Sequence, residues 1–189
     1  MSLAESDIDA RLAARIRALR AERGLTLEGL ASLAEVSRAM LSRIERGESS
    51  PTAQLLNKIC GGLRITLSEL FAESGKPASP LCRRADQPAW RDPASGYVRR
   101  NVSPAATGSA IDLVEIEFPP GASVAFANDR IAGKDQHIWL LDGAIEIDLD
   151  GEIVRLEAGD CFYMRFGKPV RFRNPSSRPA RYAVVLSRS

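Results

Sequence analysis

Apolar positions in the first seventy residues recur every three or four places. Ile8, Leu12, Ile16 and Leu19 form one stripe, with Arg11, Arg15, Arg17, Arg20 and Arg23 around it. That spacing predicts a helix from about Ile8 to Arg23, ended by Gly24. Leu27, Leu30, Ala31 and Ala34 form a second stripe after Thr26, whose hydroxyl suits an N-cap. The small Ala31 and Ala34 allow a neighbouring helix to cross closely. Ser37 opens a third helix with a narrow apolar face, Leu41 and Ile44. Gly47 stands where a left-handed C-cap residue is expected. Thr52 opens a fourth helix with Leu55, Leu56, Ile59 and Leu63 inward. Leu67, Leu70 and Phe71 close this core with a short fifth helix.

The helical period then stops. The stretch AESGKPASP has no periodicity and is rich in Gly, Ser and Pro, which places a linker at 73–82. Beyond it come short alternating or apolar runs broken by Gly, Pro and Asn: IDLVEIEFPPG, HIWLLDGAIEIDLDGEIVRLEAGDCFYMRF and VRFRNPSSRPARYAVVLS. Such runs predict antiparallel strands in a sandwich or barrel, with hairpin turns at 141–144 and 148–151. Two domains follow, an all-α one over 8–72 and an all-β one over 83–189. A chain of 189 residues is long enough for both.

The third helix has a polar, cationic free face of Arg38, Ala39, Ser42, Arg43 and Arg46, with a small helix behind it. That arrangement suits entry into a DNA major groove. The stretch from Asp9 to Phe71 resembles the phage-repressor-like, or XRE-type, helix-turn-helix family. The matching residues are Leu30-Ala31, Val36-Ser37, Leu41-Ser42, Ile44-Glu45 and Gly47, followed by SSPTAQLLNKI. The resemblance implies an ion pair between Arg20 and Glu45. It also implies operator DNA as the partner. Arg38 and Arg43 are then expected at base edges, where a guanidinium bridges guanine O6 and N7, and Ala39 at a thymine methyl. Thr26, Ser37, Ser42, Arg46, Ser49, Ser50 and Thr52 are expected to position the domain on phosphates. One such domain reads few base pairs, so a homodimer on a palindromic site is expected, with cupin edge strands as its surface.

That last expectation rests on a second resemblance. From Ser103 to Ser187 the chain is similar to the cupins, β-barrels of the jelly-roll type. The matching residues are Pro120-Gly121, Trp139 to Gly143, Leu156-x-x-Gly159-Asp160 and Phe172-Arg173-Asn174-Pro175. Metal-binding cupins carry two histidines and a glutamate in one motif and a third histidine in another. Here the corresponding places hold Ala127, Asp129, Gln136 and Val170, so the expectation is no metal, no cofactor and no catalytic residue. The lone histidine, His137, faces outward if Gln136 faces in; a one-residue shift of register would instead bring it to a ligand. The barrel interior is expected from Phe126, Ala127, Asp129, Gln136, Ile138, Leu140, Phe162, Met164, Val170 and Phe172. These side chains either fill the barrel or line a pocket for a small-molecule effector.

Composition narrows this further. Net charge is +2, with 26 basic and 24 acidic residues, so DNA affinity has to come from a local patch. Cys60, Cys82 and Cys161 show no metal spacing. They read as buried reduced thiols, or as a redox switch at Cys82 or Cys161. No apolar run reaches the ~20 residues that span a bilayer, and the N-terminus has no apolar signal core. The reading is a cytoplasmic transcriptional regulator, a repressor by preference, with no membrane partner. The alternative is a cupin enzyme acting on a small organic acid or sugar, with the helical domain as a tether.

Overall fold

The computed structural model of the chain describes residues 3–72, 79–104, 107–128 and 133–187, with side chains from Ile8 onward. Five helices come first: α1 (Leu3–Glu22), α2 (Leu27–Ala34), α3 (Arg38–Glu45), α4 (Ala53–Leu63) and α5 (Leu67–Phe71). Helix α1 begins earlier than the apolar stripe suggests. No Gly or Pro interrupts it there. The interior is the predicted one: Ile8, Leu12, Ile16, Leu19, Leu30, Leu41, Ile44, Leu56, Ile59 and Leu70 are all buried. Helices α2 and α4 cross tightly, since a Cβ on Gly62 would stand 3.0 Å from the Ala34 amide nitrogen. Arg20 and Glu45 form the expected pair, bidentate, with Nε–Oε1 and Nη2–Oε2 both 2.7 Å. Arg20 Nη1 also donates to the Leu25 carbonyl at 2.9 Å, so one guanidinium joins α1, the end of α3 and the loop before α2.

After a 3-10 turn come ten strands, β1 (Ala89–Arg91), β2 (Val98–Asn101), β3 (Ile111–Phe118), β4 (Ser123–Phe126), β5 (Asp135–Asp142), β6 (Ala144–Leu149), β7 (Glu152–Glu157), β8 (Cys161–Arg165), β9 (Val170–Arg173) and β10 (Ala180–Ser187). All pairings are antiparallel. One sheet has the order β1-β2-β3-β10-β5-β8 and the other β4-β9-β6-β7. Their inner faces meet through Val114, Ile116, Phe118, Leu140, Ile145, Ile147, Phe172 and Tyr182. The turn at 148–151 is a hairpin, with Asp150 and Gly151 both at positive φ as a type I′ turn requires. The turn at 141–144 is not. It carries the chain from the six-stranded sheet to the four-stranded one, and Gly143 (φ 80) lets it pass where a Cβ would stand 2.8 Å from the Pro179 carbonyl oxygen. Most of the expected linker, 73–78, lies outside the described residues.

The helical half is seated on the barrel through a buried polar seam. Asn57 on α4 donates from Nδ2 to Asn128 Oδ1 at 3.2 Å, and its Oδ1 accepts the Ala127 amide at 3.1 Å. Asp92, just after β1, accepts the Ala53 amide at 3.0 Å and so places a carboxylate at the N-terminus of α4. Lys134 Nζ meets Glu69 Oε1 at 2.8 Å. Phe71 packs on Trp90, with ring centroids 5.7 Å apart. Burial pushes the Glu69 carboxyl up, but the Lys134 bond and the Thr66 amide outweigh it and leave its pKa below the usual glutamate value.

Arg20→Ala strands a buried carboxylate, and Glu45→Ala strands its guanidinium. Each is expected to lower stability by about 3 kcal/mol in denaturant unfolding, while replacement of both residues by apolar side chains recovers most of the loss. Glu69, with its depressed pKa, contributes stability that is present above the ordinary glutamate pKa and is lost as pH falls through the folded-state value. The Tm gap between the wild type and Glu69→Gln is therefore expected to be open at pH 6 and to close as pH drops below the usual glutamate pKa of 4.5. A gap that stays constant over that range removes the Lys134–Glu69 pair from the seam's stability.

Candidate nucleic-acid interface

Helix α3 presents its free face because Leu41 and Ile44 are fully buried beneath it. Arg38, Ala39 and Arg43 are exposed, and Ser42 is half-buried. Positions 38, 42 and 46, with 39 and 43, fall on one side at helical spacing. Three of the expected phosphate-contacting hydroxyls are helix caps. Thr26 Oγ1 accepts the Gly29 amide at 2.9 Å, Ser37 Oγ the Met40 amide at 3.1 Å, and Thr52 Oγ1 the Leu55 amide at 3.2 Å. Each hydroxyl keeps its own proton for donation, and each marks a helix N-terminus whose amides favour an anion.

The cations of this face differ in what holds them. Arg38 lies 3.5 Å from Glu28, an exposed pair that brings the starts of α2 and α3 together. Arg46 is bound in bidentate fashion by Glu48, at 2.6 and 2.7 Å, and also donates to Ser42 Oγ. That bond holds the Glu48 carboxyl below the usual glutamate value. Arg43 has no ion-pair partner among the described residues. Ser50 donates to Asp9 on α1, so it anchors the turn after α3, and Ser49 beside it is half-buried.

Two of the positions that hold metal ligands in metal-binding cupins carry other chemistry here. Gln136 is buried with its amide on Met164 Sδ at 3.9 Å, and Val170 is packed in the core. Neither an amide bonded to a thioether nor a valine suits a transition metal. Asp129 lies outside the described residues. Ala127 does not face the interior as expected. Strand β4 stops at Phe126, Asn128 takes a left-handed conformation (φ 50), and the alternation breaks, leaving Ala127 exposed with its amide on Asn57. His137 points outward, its ring centroid 5.2 Å from that of Tyr163. Of the cysteines, Cys60 is the buried thiol expected, while Cys82 is half-buried and Cys161 exposed beside the outward His137; all three are free thiols.

Inside the barrel is a cavity of about 60 Å³. Of the expected interior residues, Phe126, Gln136 and Phe172 line it. Ile138, Leu140, Met164 and Val170 are buried in the surrounding core, and Phe162 packs half-buried against it. The wall has two parts that the strand alternation after residue 103 does not reach. Tyr97 and Arg99 come from β2 and the turn before it. Asn57, Thr66, Leu67 and Ser68 come from the helical half and roof the cavity. The signal for the first part was the alternation in Tyr97-Val98-Arg99, which puts an arginine on the same face as a buried tyrosine.

A helix-turn-helix family model matches residues 16–70 and a cupin-domain model residues 114–186. The chain is 31% identical over 177 residues to the HTH-type transcriptional regulator SutR of Escherichia coli K12, covering 93% of each chain. It is 24% identical over 164 residues to the HTH-type transcriptional regulator PuuR of the same organism, covering 86% of this chain and 87% of that one. Among solved structures, a helix-turn-helix family transcriptional regulator from Vibrio cholerae superposes with a TM-score of 0.79 at 25% identity, over 98% of this chain and 99% of that one.

Proposed function

Because the chain belongs to the HTH-type transcriptional regulators that join a helix-turn-helix domain to a cupin domain, we propose that it binds its operator as a two-fold dimer and senses a small molecule inside the barrel. Residues 8–72 form the DNA-binding unit, 73–82 the linker and 83–189 the sensor unit. The protein works in the cytoplasm, carries out no catalysis and represses, since occupying a promoter needs no contact with polymerase. No described helix is long and apolar enough to cross a membrane.

The observation that carries the DNA reading is the exposed face of α3 over its buried Leu41 and Ile44. Arg43, the cation without an ion pair among the described residues, is the first base-reading candidate, followed by Arg38 and the Ala39 methyl. Arg46, tied to Glu48, suits a phosphate, with Ser42 beside it. The cap hydroxyls of Thr26, Ser37 and Thr52 and the turn residues Ser49 and Ser50 complete the backbone contacts. Half-sites should lie ~34 Å apart or at a multiple of that.

The dimer surface best supported is the outer face of the six-stranded sheet, and not its edge. The register aligns Tyr163, His137, Val185 and Leu113 across four strands, and Trp139 and Cys161 in the next row. Trp139 and Tyr163 are each 50% exposed and Ile111 52%. Apolar side chains grouped in this way mark a contact surface, and a second copy fits the two-fold operator.

Three experiments test this reading. Arg43→Ala is expected to relax one base position in a selection from random DNA and to cost about 1–3 kcal/mol there. Arg46→Ala is expected to weaken all sequences alike and to flatten the salt dependence. An unchanged selected motif in Arg43→Ala sinks the recognition-helix assignment. Trp139→Glu is expected to give a folded monomer by light scattering, with loss of binding to the full palindrome. A retained dimer mass removes the sheet face from the interface.

A further inference from the structure

Arg99 is a buried cation with no ion pair among the described residues. It lies on β2, is 6% exposed and lines the barrel cavity. Its Nη2 donates to Ser68 Oγ at 2.6 Å, and its guanidinium carbon stands 5.6 Å from the Phe71 ring centroid. Its Nε is buried with no hydrogen-bond partner. Among the described residues no ion pair joins it to a carboxylate, while the field of Asp112 favours its charged form. The outer arginines differ: Arg84, Arg100 and Arg181 all gather on the single carboxylate of Glu115. Burial pushes the Arg99 pKa down, as it does for any cation drawn out of water.

A buried charge is costly unless something pairs it, and the fork of a guanidinium matches a carboxylate in bidentate fashion. The rest of the wall is largely apolar, with Ile116, Val124, Val184 and Leu186 among its members. An inorganic oxyanion stripped of its water would set its remaining charged oxygens against these side chains at a cost. Size limits the ligand as well. A volume of about 60 Å³ holds roughly four to six water-sized groups.

We propose that the cavity takes a small monocarboxylate of about four to six non-hydrogen atoms, its carboxylate on Arg99 beneath Ser68 and its short carbon body against Ile116, Val124, Val184 and Leu186. The proposal deepens the sensor reading above and rests on it. Because Ser68 belongs to α5 and shares the Arg99 guanidinium, an anion there alters a bond that ties the DNA-binding half to the barrel. The occupant thus bears on the seat of the helical domain directly, without routing through the linker.

The test is calorimetric titration of the full chain with propionate, butyrate, pyruvate and lactate, each acid matched where available by its neutral amide, propionamide or butyramide. Sulfate and phosphate serve as inorganic comparisons. At least one acid is expected to saturate one site per chain, with its amide at least tenfold weaker. Arg99→Met is expected to lower that affinity at least tenfold. The acid–amide comparison needs no variant, so it stands even if Arg99→Met fails to fold. Equal binding of acid and amide overturns the anion assignment while leaving a ligand cavity in place. Saturation by sulfate or phosphate in preference to every acid overturns the chemical class, and so does the absence of any saturating acid. A second readout is the anisotropy of a DNA fragment selected by the protein. If an acid binds through Arg99 and operator affinity does not move, the site stands and the sensor reading falls.

Discussion

Two carboxamides, Asn57 and Asn128, hold the helical half of this protein against its barrel, and much of the architecture follows from that contact. Both are buried, so each has to be satisfied within the seam. Asn57 meets the condition by donating to Asn128 and accepting from the Ala127 backbone. The same seam carries a carboxylate at the N-terminus of α4 and an ion pair from α5 to the loop before β5. Polar contacts of this kind fix orientation more strictly than apolar packing does, because a small slide leaves several groups unpaired at once. The pose of the helical half relative to the barrel is therefore set by a handful of specific bonds.

The aromatic residues extend the connection inward. Phe71 on α5 touches Trp90, Trp90 touches Tyr97, Tyr97 touches Phe118, and Phe118 touches Tyr182, which stacks on Phe172. The chain of rings passes from the helical half across both sheets of the barrel. Tyr97, Phe118, Tyr182 and Phe172 are also part of the cavity wall. Packing changes in the cavity and packing changes at the helical core are thus separated by few contacts, all of them close-packed.

Much of this was legible in the sequence, and what was not has a common cause. The helices, their caps and their inward faces could be read from spacing, because periodicity reports directly on burial within one element. The Arg20–Glu45 pair followed from family resemblance, and the strands from alternation. Periodicity does not report which element covers another. Nothing in the spacing of Leu67, Leu70 and Phe71 marks Thr66 and Ser68 as cavity residues, and only the assembled seam makes them a roof. Arg99 was passed over because an arginine in a strand reads as a surface residue. Counting along the cupin motif places Ala127 inside, and the left-handed Asn128 breaks that count. The 141–144 turn was read as a hairpin because its glycine signal is the same for a hairpin and for a passage between sheets.

The roof has a consequence for how such regulators diverge. Four cavity-lining residues, Asn57, Thr66, Leu67 and Ser68, are encoded within the DNA-binding half. A recombination that exchanged that half for another would exchange part of the binding chamber with it. The exposed face of α3 and the lining of the cavity are therefore not inherited as separate modules here. Change in one is constrained at the seam by change in the other, and chimeras built by joining the halves of two relatives inherit a mismatched cavity wall along with a new helical domain.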